Sequence, residues 1–188
     1  MQVVWDALLV GAITGTPEMP GSIGIMGHSL GTGISLAFFE RLHHKEVRPR
    51  FLVLEAPFTS LPNVVRDTYL HYLPVNWHSF ILPYILDSFP SSSNIQYVSS
   101  PLFIAHGKND NVIPSAQGEL LFSRAKATAP GCALSKNSCM LCIVPDATHS
   151  DLVEHAMFTA NLSAFLRANG PAKHTVIDKG ESNEGARW

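Results

Sequence analysis

Charge is scarce in this chain of 188 residues: Asp, Glu, Lys and Arg together make up 15%, and the net charge is −2. Such a balance gives no global pull toward nucleic acid or an anionic membrane, and no basic run stands out beyond residues 41–50. No nucleic-acid partner is expected. No stretch reaches the ~18 consecutive apolar residues that a membrane-spanning helix needs. The N-terminus also lacks the basic start of a signal peptide. Any membrane anchor is expected to lie outside this sequence. Internal repeats and a Gly-rich phosphate loop are missing as well.

Cysteine is nearly absent, with three residues at 132, 139 and 142. Cys139-Met140-Leu141-Cys142 has the spacing of a zinc knuckle or redox pair but lacks the second ligand pair of a structural zinc site. Neither a metal nor an organic cofactor is expected. Cys142 lies in an apolar run and is expected to be buried. The other two either stay free or form a Cys132–Cys139 disulfide closing the loop before that run, which would imply an oxidising compartment. The odd count leaves a free thiol in both cases. Apolar residues, by contrast, make up 46% of the chain, enough for one core in one domain. That domain is expected over residues 1–170. Residues 171–188, polar and without periodicity, are expected to be disordered.

The most informative segment is Gly27-His28-Ser29-Leu30-Gly31, which follows the apolar run Ile23-Gly24-Ile25-Met26. A strand over residues 22–26 and a helix starting near Thr32, with Ile34, Leu36, Ala37, Phe38 and Phe39 at helical spacing, would put Ser29 on a tight strand-to-helix turn. Glycines at 27 and 31 suit such a nucleophile elbow because its backbone is strained and approaches itself closely. The pattern predicts a serine hydrolase. An activated serine needs a base to take its proton and an acid to orient that base. Leu102-Phe103-Ile104-Ala105 is a second strand-like run, followed by His106-Gly107-Lys108-Asn109-Asp110; Leu141-Cys142-Ile143-Val144 is a third, followed by Pro145-Asp146-Ala147-Thr148-His149. Parallel strands would deliver Ser29, Asp110 and His149 to the same sheet edge, where open α/β sheets build their sites.

Each residue has a rival role. Ser29 would serve as a helix N-cap, and Asp110 as a turn former among Asn109 and Asn111. Glu55, closing the run Phe51-Leu52-Val53-Leu54-Glu55, is the alternative acid. Among the other eight histidines, His28 is expected to point away from the nucleophile's side chain. His43, His44 and His174 read as surface residues, and His106 as a packing and hydrogen-bonding residue of the acid loop.

Four motifs in order carry a family resemblance: Gly27-His28-Ser29-Leu30-Gly31-Thr32-Gly33, Leu54-Glu55-Ala56-Pro57-Phe58-Thr59, His106-Gly107-Lys108-Asn109-Asp110-Asn111-Val112-Ile113-Pro114 and His149-Ser150-Asp151-Leu152. The chain resembles the α/β-hydrolase-fold serine lipases, in particular the membrane-associated branch of lysophosphatidylserine and monoacylglycerol lipases, over roughly residues 21–167. The resemblance implies the C-terminal portion of an α/β-hydrolase fold, a mostly parallel sheet flanked by helices with a small helical cap insertion at about residues 61–100. It also implies hydrolysis of single-chain lipid esters and membrane association at the endoplasmic reticulum. Alternatives are an acyl-protein thioesterase or serine peptidase of the same fold, or a non-catalytic hydrolase fragment.

The departure from the family lies at the N-terminus. A full α/β-hydrolase needs about eight strands in roughly 200–250 residues, whereas only 28 residues precede Ser29. They are expected to hold one helix over residues 2–12, with Val3, Val4, Trp5, Leu8 and Leu9 apolar, and to lack the early strands. The chain thus reads as N-terminally truncated. With those strands would go the loop that supplies the second oxyanion donor, leaving the backbone N–H of Leu30. One missing donor costs on the order of 10²–10³ in rate. The sheet edge left open would invite association.

Within the cap, residues 76–86 are aromatic and aliphatic without charge, and are read either as an acyl-chain lining with membrane-surface contact or as ordinary core. Pro74, Pro83 and Pro90 should divide the cap into short helices. A closing helix is expected over residues 151–169, with Leu152, Ala156, Phe158, Leu162, Phe165 and Leu166 on one face and Gly170-Pro171 as its stop. Asn161-Leu162-Ser163 matches a glycosylation acceptor, but its helical position argues against use.

Overall fold

Four short apolar runs become four parallel strands in a computed structural model, which describes residues 1, 19–68, 70 and 89–170. In chain order the elements are β1 (Ile25–His28), α1 (Leu30–His44), β2 (Leu52–Glu55), α2 (Leu61–Thr68), α3 (Ser91–Asn94), β3 (Leu102–Gly107), α4 (Ser115–Thr128), β4 (Cys139–Val144) and α5 (Ala156–Asn169). The strands lie in sequence order, β1-β2-β3-β4, and every neighbouring pair is parallel.

All residues of β2 and β3 are buried, which explains why those segments are continuous apolar runs rather than alternating ones. On one face of the sheet Leu36, Phe39 and Leu42 of α1 and Leu121 and Ala125 of α4 cover Ile25, Leu52, Leu54, Leu102 and Ile104. On the other face Phe158 and Phe165 of α5 meet Val53, Phe103, Ala105 and Cys142, with the Phe103 and Phe165 rings 5.4 Å apart. Each fully buried large apolar side chain contributes roughly 1.5–3 kcal/mol relative to exposure. The sheet is the rigid middle layer on which the loops at its carboxyl ends stand.

Several boundaries differ from the sequence reading. The first strand runs over Ile25–His28 rather than residues 22–26, because Pro20–Ser22 form a 3₁₀ turn in which the Ser22 backbone N–H donates to Met19 O at 2.9 Å. The third continues through His106 and Gly107, which pair with Ile143 and Val144. The expected closing helix breaks in two: Leu152–Glu154 form a 3₁₀ turn, His155 is extended, and α5 begins at Ala156. Ala156 is exposed rather than on the buried face. Gly170 caps α5, its N–H donating to Leu166 O.

The end of the segment read as a cap is core: Ile95 and Val98 are fully buried and pack with α1 and α4 residues. The expected helix at residues 2–12, the apolar stretch 76–86 and the tail 171–188 lie outside the described residues. No helix among the described residues is long and apolar enough to cross a membrane.

Of the two cysteine arrangements, the structure has the disulfide: Cys132 is paired with Cys139, their Cα atoms 4.7 Å apart. This ties the turn after α4 to the first residue of β4. Cys142 is free and buried, as expected for a strand residue, and burial pushes its thiol up.

Candidate active site

Ser29 is the only residue between β1 and α1, and its backbone pays for that position with φ = 50° and ψ = −122°, a region an L-residue with a side chain rarely adopts. Strain of this kind costs on the order of 1–3 kcal/mol and persists where surrounding contacts over-determine it. Those contacts are visible: Ser29 N–H donates to Glu55 O of the neighbouring strand at 2.9 Å, and Ser29 O accepts both the N–H and the hydroxyl of Thr32 at 2.9 and 2.6 Å. Gly27 is required for close approach. A Cβ there would stand 2.6 Å from Gly31 O and 2.7 Å from Ser35 Oγ. Ser29 makes no side-chain cap bond to the helix, so the N-cap alternative fails; its hydroxyl is directed elsewhere. Leu30 opens α1, and the N–H groups of a helix's first turn have no acceptor within the helix.

The hydroxyl meets His149. Ser29 Oγ lies 2.9 Å from His149 Nε2, and His149 Nδ1 lies 2.7 Å from Asp110 Oδ2. Asp110 comes three residues after β3 and His149 five after β4, so the parallel order of the strands brings all three to one edge. Asp110's carboxylate is buried. Burial pushes the carboxyl up, but the hydrogen bonds from His106, from the N–H of Ile113, from His149 and from the N–H of Val112 outweigh this and hold it at about 2. The two backbone N–H groups, of Val112 and Ile113, donate to Oδ1 at 2.8 Å each, leaving Oδ2 for the imidazole. An ionised carboxylate only accepts, so the proton between them sits on Nδ1 and the lone pair of Nε2 faces the serine.

His106 does the packing work foreseen for it, but from the end of β3 rather than from the loop. It is fully buried, with Nε2–H donating to Ile113 O at 2.8 Å and lying 3.3 Å from Asp110 Oδ2. Gly118 of α4 lies against its other ring nitrogen. Gly107 is a supporting residue the sequence did not single out: a Cβ there would strike the carbonyl oxygens of Ala147 and Thr148, so only glycine lets β3 pass beneath the histidine loop. That loop is further held by Asp151, which accepts the Thr148 N–H at 2.7 Å. The same bond holds the Asp151 carboxyl below its ordinary range.

Glu55, the alternative acid, is at the end of β2 as expected and buried at 4% exposure, but among the described residues it makes no hydrogen bond to a histidine, and its Oε1 has no hydrogen-bond partner. Asp110 holds the position facing His149 instead. Burial pushes the Glu55 carboxyl up, against a smaller opposing pull from His28. Above the ordinary carboxylate range the folded chain keeps this proton after the unfolded chain has released it, so stability falls as pH rises through the raised value. Glu55→Gln is expected to remove that decline. Thermal melts of both proteins between pH 4 and pH 9 should show the variant's advantage growing with pH; parallel curves would mean that Glu55 does not carry the effect.

His28 is exposed, and its Nε2 donates to the main-chain oxygen of His149 at 3.0 Å. His43 and His44 are exposed as expected and lie against Tyr97, with ring centroids 5.2 and 5.7 Å from it. His174 lies outside the described residues.

No family model matches the sequence. The lysophosphatidylserine lipase ABHD12 of Xenopus tropicalis is 36% identical over 109 residues, covering 54% of this chain and 28% of that protein. Its counterpart in Danio rerio is 30% identical over 165 residues, covering 81% of this chain and 41% of that protein. An esterase of Pyrococcus furiosus superposes with a TM-score of 0.58 at 19% identity, over 90% of this chain and 59% of that one. The chain has the α/β-hydrolase fold. It spans about two-fifths or less of the length of the two curated lipases. The four described strands and the loops after β1, β3 and β4 fall within that span, so the Ser29–His149–Asp110 arrangement comes entirely from this chain.

Proposed function

We propose that this α/β-hydrolase is a serine esterase that cleaves carboxylic esters of single-chain lipids, of the lysophospholipid or monoacylglycerol type, through an acyl-enzyme. The observation that carries the catalytic part is the hydrogen-bonded line from Asp110 Oδ2 through the His149 ring to Ser29 Oγ. The substrate class rests on similarity to proteins named lysophosphatidylserine lipases.

In this reading Ser29 Oγ attacks the ester carbonyl as its proton passes to His149 Nε2. Asp110 holds the imidazole in the required tautomer and stabilises the imidazolium that forms. The backbone N–H of Leu30 donates to the oxyanion. Collapse of the tetrahedral species breaks the ester C–O bond, and the proton on Nε2 goes to the departing alcohol oxygen. Water, deprotonated by the same nitrogen, then attacks the acyl-serine and releases the fatty acid. Strain at Ser29 serves this chemistry by holding Oγ clear of the helix backbone. Contact with a lipid surface would fall to the segment between α2 and α3.

A fluorophosphonate probe tests the reading directly. The expected result is one covalent adduct per chain, mapped to Ser29 by mass spectrometry and lost in Ser29→Ala and in His149→Ala. A folded protein that takes up no probe would make this chain a non-catalytic hydrolase fragment. Labelling at Ser29 with turnover of acyl-thioesters or aminoacyl esters, and none of lysophospholipids or monoacylglycerols, would keep the triad and replace the lipid assignment.

A further inference from the structure

The elbow grips His149 twice. Ser29 Oγ meets its ring at Nε2, and the preceding residue, His28, sends Nε2–H to its main-chain oxygen at 3.0 Å. The two imidazole centroids are 5.1 Å apart. His28 occupies a variable position of G-x-S-x-G, so the motif gives no hint of a role for it.

The difference between the two grips matters. The bonds from Ser29 and Asp110 both act on the imidazole ring of His149 and not on its backbone. The loop between β4 and the Leu152–Glu154 turn is anchored at Ala147, whose oxygen accepts the Asn109 N–H at 3.0 Å, and at Thr148 through Asp151. At residue 149 itself, the His28 bond attaches the backbone to the elbow. The elbow end of this brace is stiff: His28 pairs with Glu55 in the sheet, and the next N–H, that of Ser29, donates to Glu55 O at 2.9 Å. One rigid dipeptide therefore sets the distance between the serine hydroxyl and the backbone that carries the imidazole.

We propose that His28 is a positioning residue for His149, a role that rests on the Ser29–His149–Asp110 reading. It fixes the backbone of the proposed base relative to the nucleophile. A shift of about 1 Å in a reacting group is worth up to 10²-fold in rate, which sets the scale of the effect.

The test compares His28→Leu, which keeps bulk without a donor, with His28→Gln, whose amide nitrogen reaches the place of Nε2. With a p-nitrophenyl ester of a medium-chain fatty acid, His28→Leu is expected to lower kcat roughly 10- to 100-fold with little change in KM. His28→Gln should recover most of that loss. Hydrogen exchange read by mass spectrometry on peptides covering residues 147–152 should be faster in His28→Leu and close to wild type in His28→Gln. The ring is exposed, so both variants are expected to keep the wild-type melting temperature. Unchanged kcat in His28→Leu, an equal loss in both variants, or unchanged exchange would each overturn the proposal. Wild-type protein without Ser29-dependent turnover would instead end the esterase reading, and the exchange comparison would still decide whether His28 orders the loop.

Discussion

Replacing His149 by alanine is expected to lower kcat for ester hydrolysis by on the order of 10⁶-fold, with KM changed far less. The magnitude follows from how proton transfer and attack are coupled. A serine hydroxyl at neutral pH is a poor nucleophile, and the proposed base, His149 Nε2, lies 2.9 Å from Ser29 Oγ. Without the imidazole, the attacking oxygen keeps its proton and the leaving alcohol receives none, so both halves of the reaction fail together. For the same reason the losses do not add: Ser29→Ala combined with His149→Ala should be no slower than either alone. The measurement is steady-state hydrolysis of a p-nitrophenyl ester by the three variants. A loss below tenfold in His149→Ala would remove this residue from the base role. A double variant much slower than both singles would show that the two residues do not act as a unit.

The second large effect belongs to Asp110. Asp110→Asn is expected to reduce kcat by about 10⁴-fold. An amide at this position presents N–H or C=O to Nδ1, and where it presents N–H, the imidazole must turn its proton toward the serine and lose the lone pair that accepts the serine proton. The carboxylate also loses the charge that stabilises the imidazolium. Its pH behaviour separates the two kinds of contribution. Asp110 is held at about 2 in the folded chain against an ordinary value of 3.8, so it stays ionised throughout the usual assay range and cannot be the origin of an acid limb in the rate profile. For stability the sign is that of a depressed carboxyl. The stabilisation, about 2 kcal/mol at this shift, is fully present above pH 4 and is lost as pH falls from there toward 2. Asp110→Asn should lack that titration. Acid melts of wild type and variant check it, and identical acid denaturation of the two would show that the buried hydrogen bonds from His106, Ile113, His149 and Val112 stabilise the charge less than their geometry implies.

Much of this arrangement was legible because the fold is built from local signals repeated at parallel strands. Of the two glycines around Ser29, Gly27 has the expected steric cause, since a Cβ there would strike Gly31 O and Ser35 Oγ, whereas a Cβ at Gly31 would meet open space, so close approach does not demand glycine at 31. Apolar runs without alternation announced strands buried on both faces, as β2 and β3 are. Boundaries were less readable. Strand β3 outlasts its apolar run because His106 and Gly107 pair with Ile143 and Val144, and a fully buried histidine is stable there only since its ring finds the Ile113 carbonyl. The closing helix was read as one element because Leu152, Phe158 and Phe165 share a period. The chain breaks at His155, which no periodicity reports.

Sequence alone determined the order of the strands, the elbow and the carboxylate and imidazole candidates, since each depends on residues a few positions apart: a glycine that allows a strained turn, apolar runs that demand burial, polar residues just beyond them. It did not announce the helix over Ser115–Thr128. Tertiary structure decided what depends on partners distant in the chain. It placed Asp110 rather than Glu55 against His149, across 39 residues, and left the Glu55 carboxyl buried with no partner for Oε1 among the described residues. It paired Cys132 with Cys139, and it joined His28 to the backbone of a residue 121 positions away. Hydrogen bonds of this kind are short-ranged and directional, so whether they form is set by where the sheet places two loops in space, and a linear pattern of residue types carries no record of that distance.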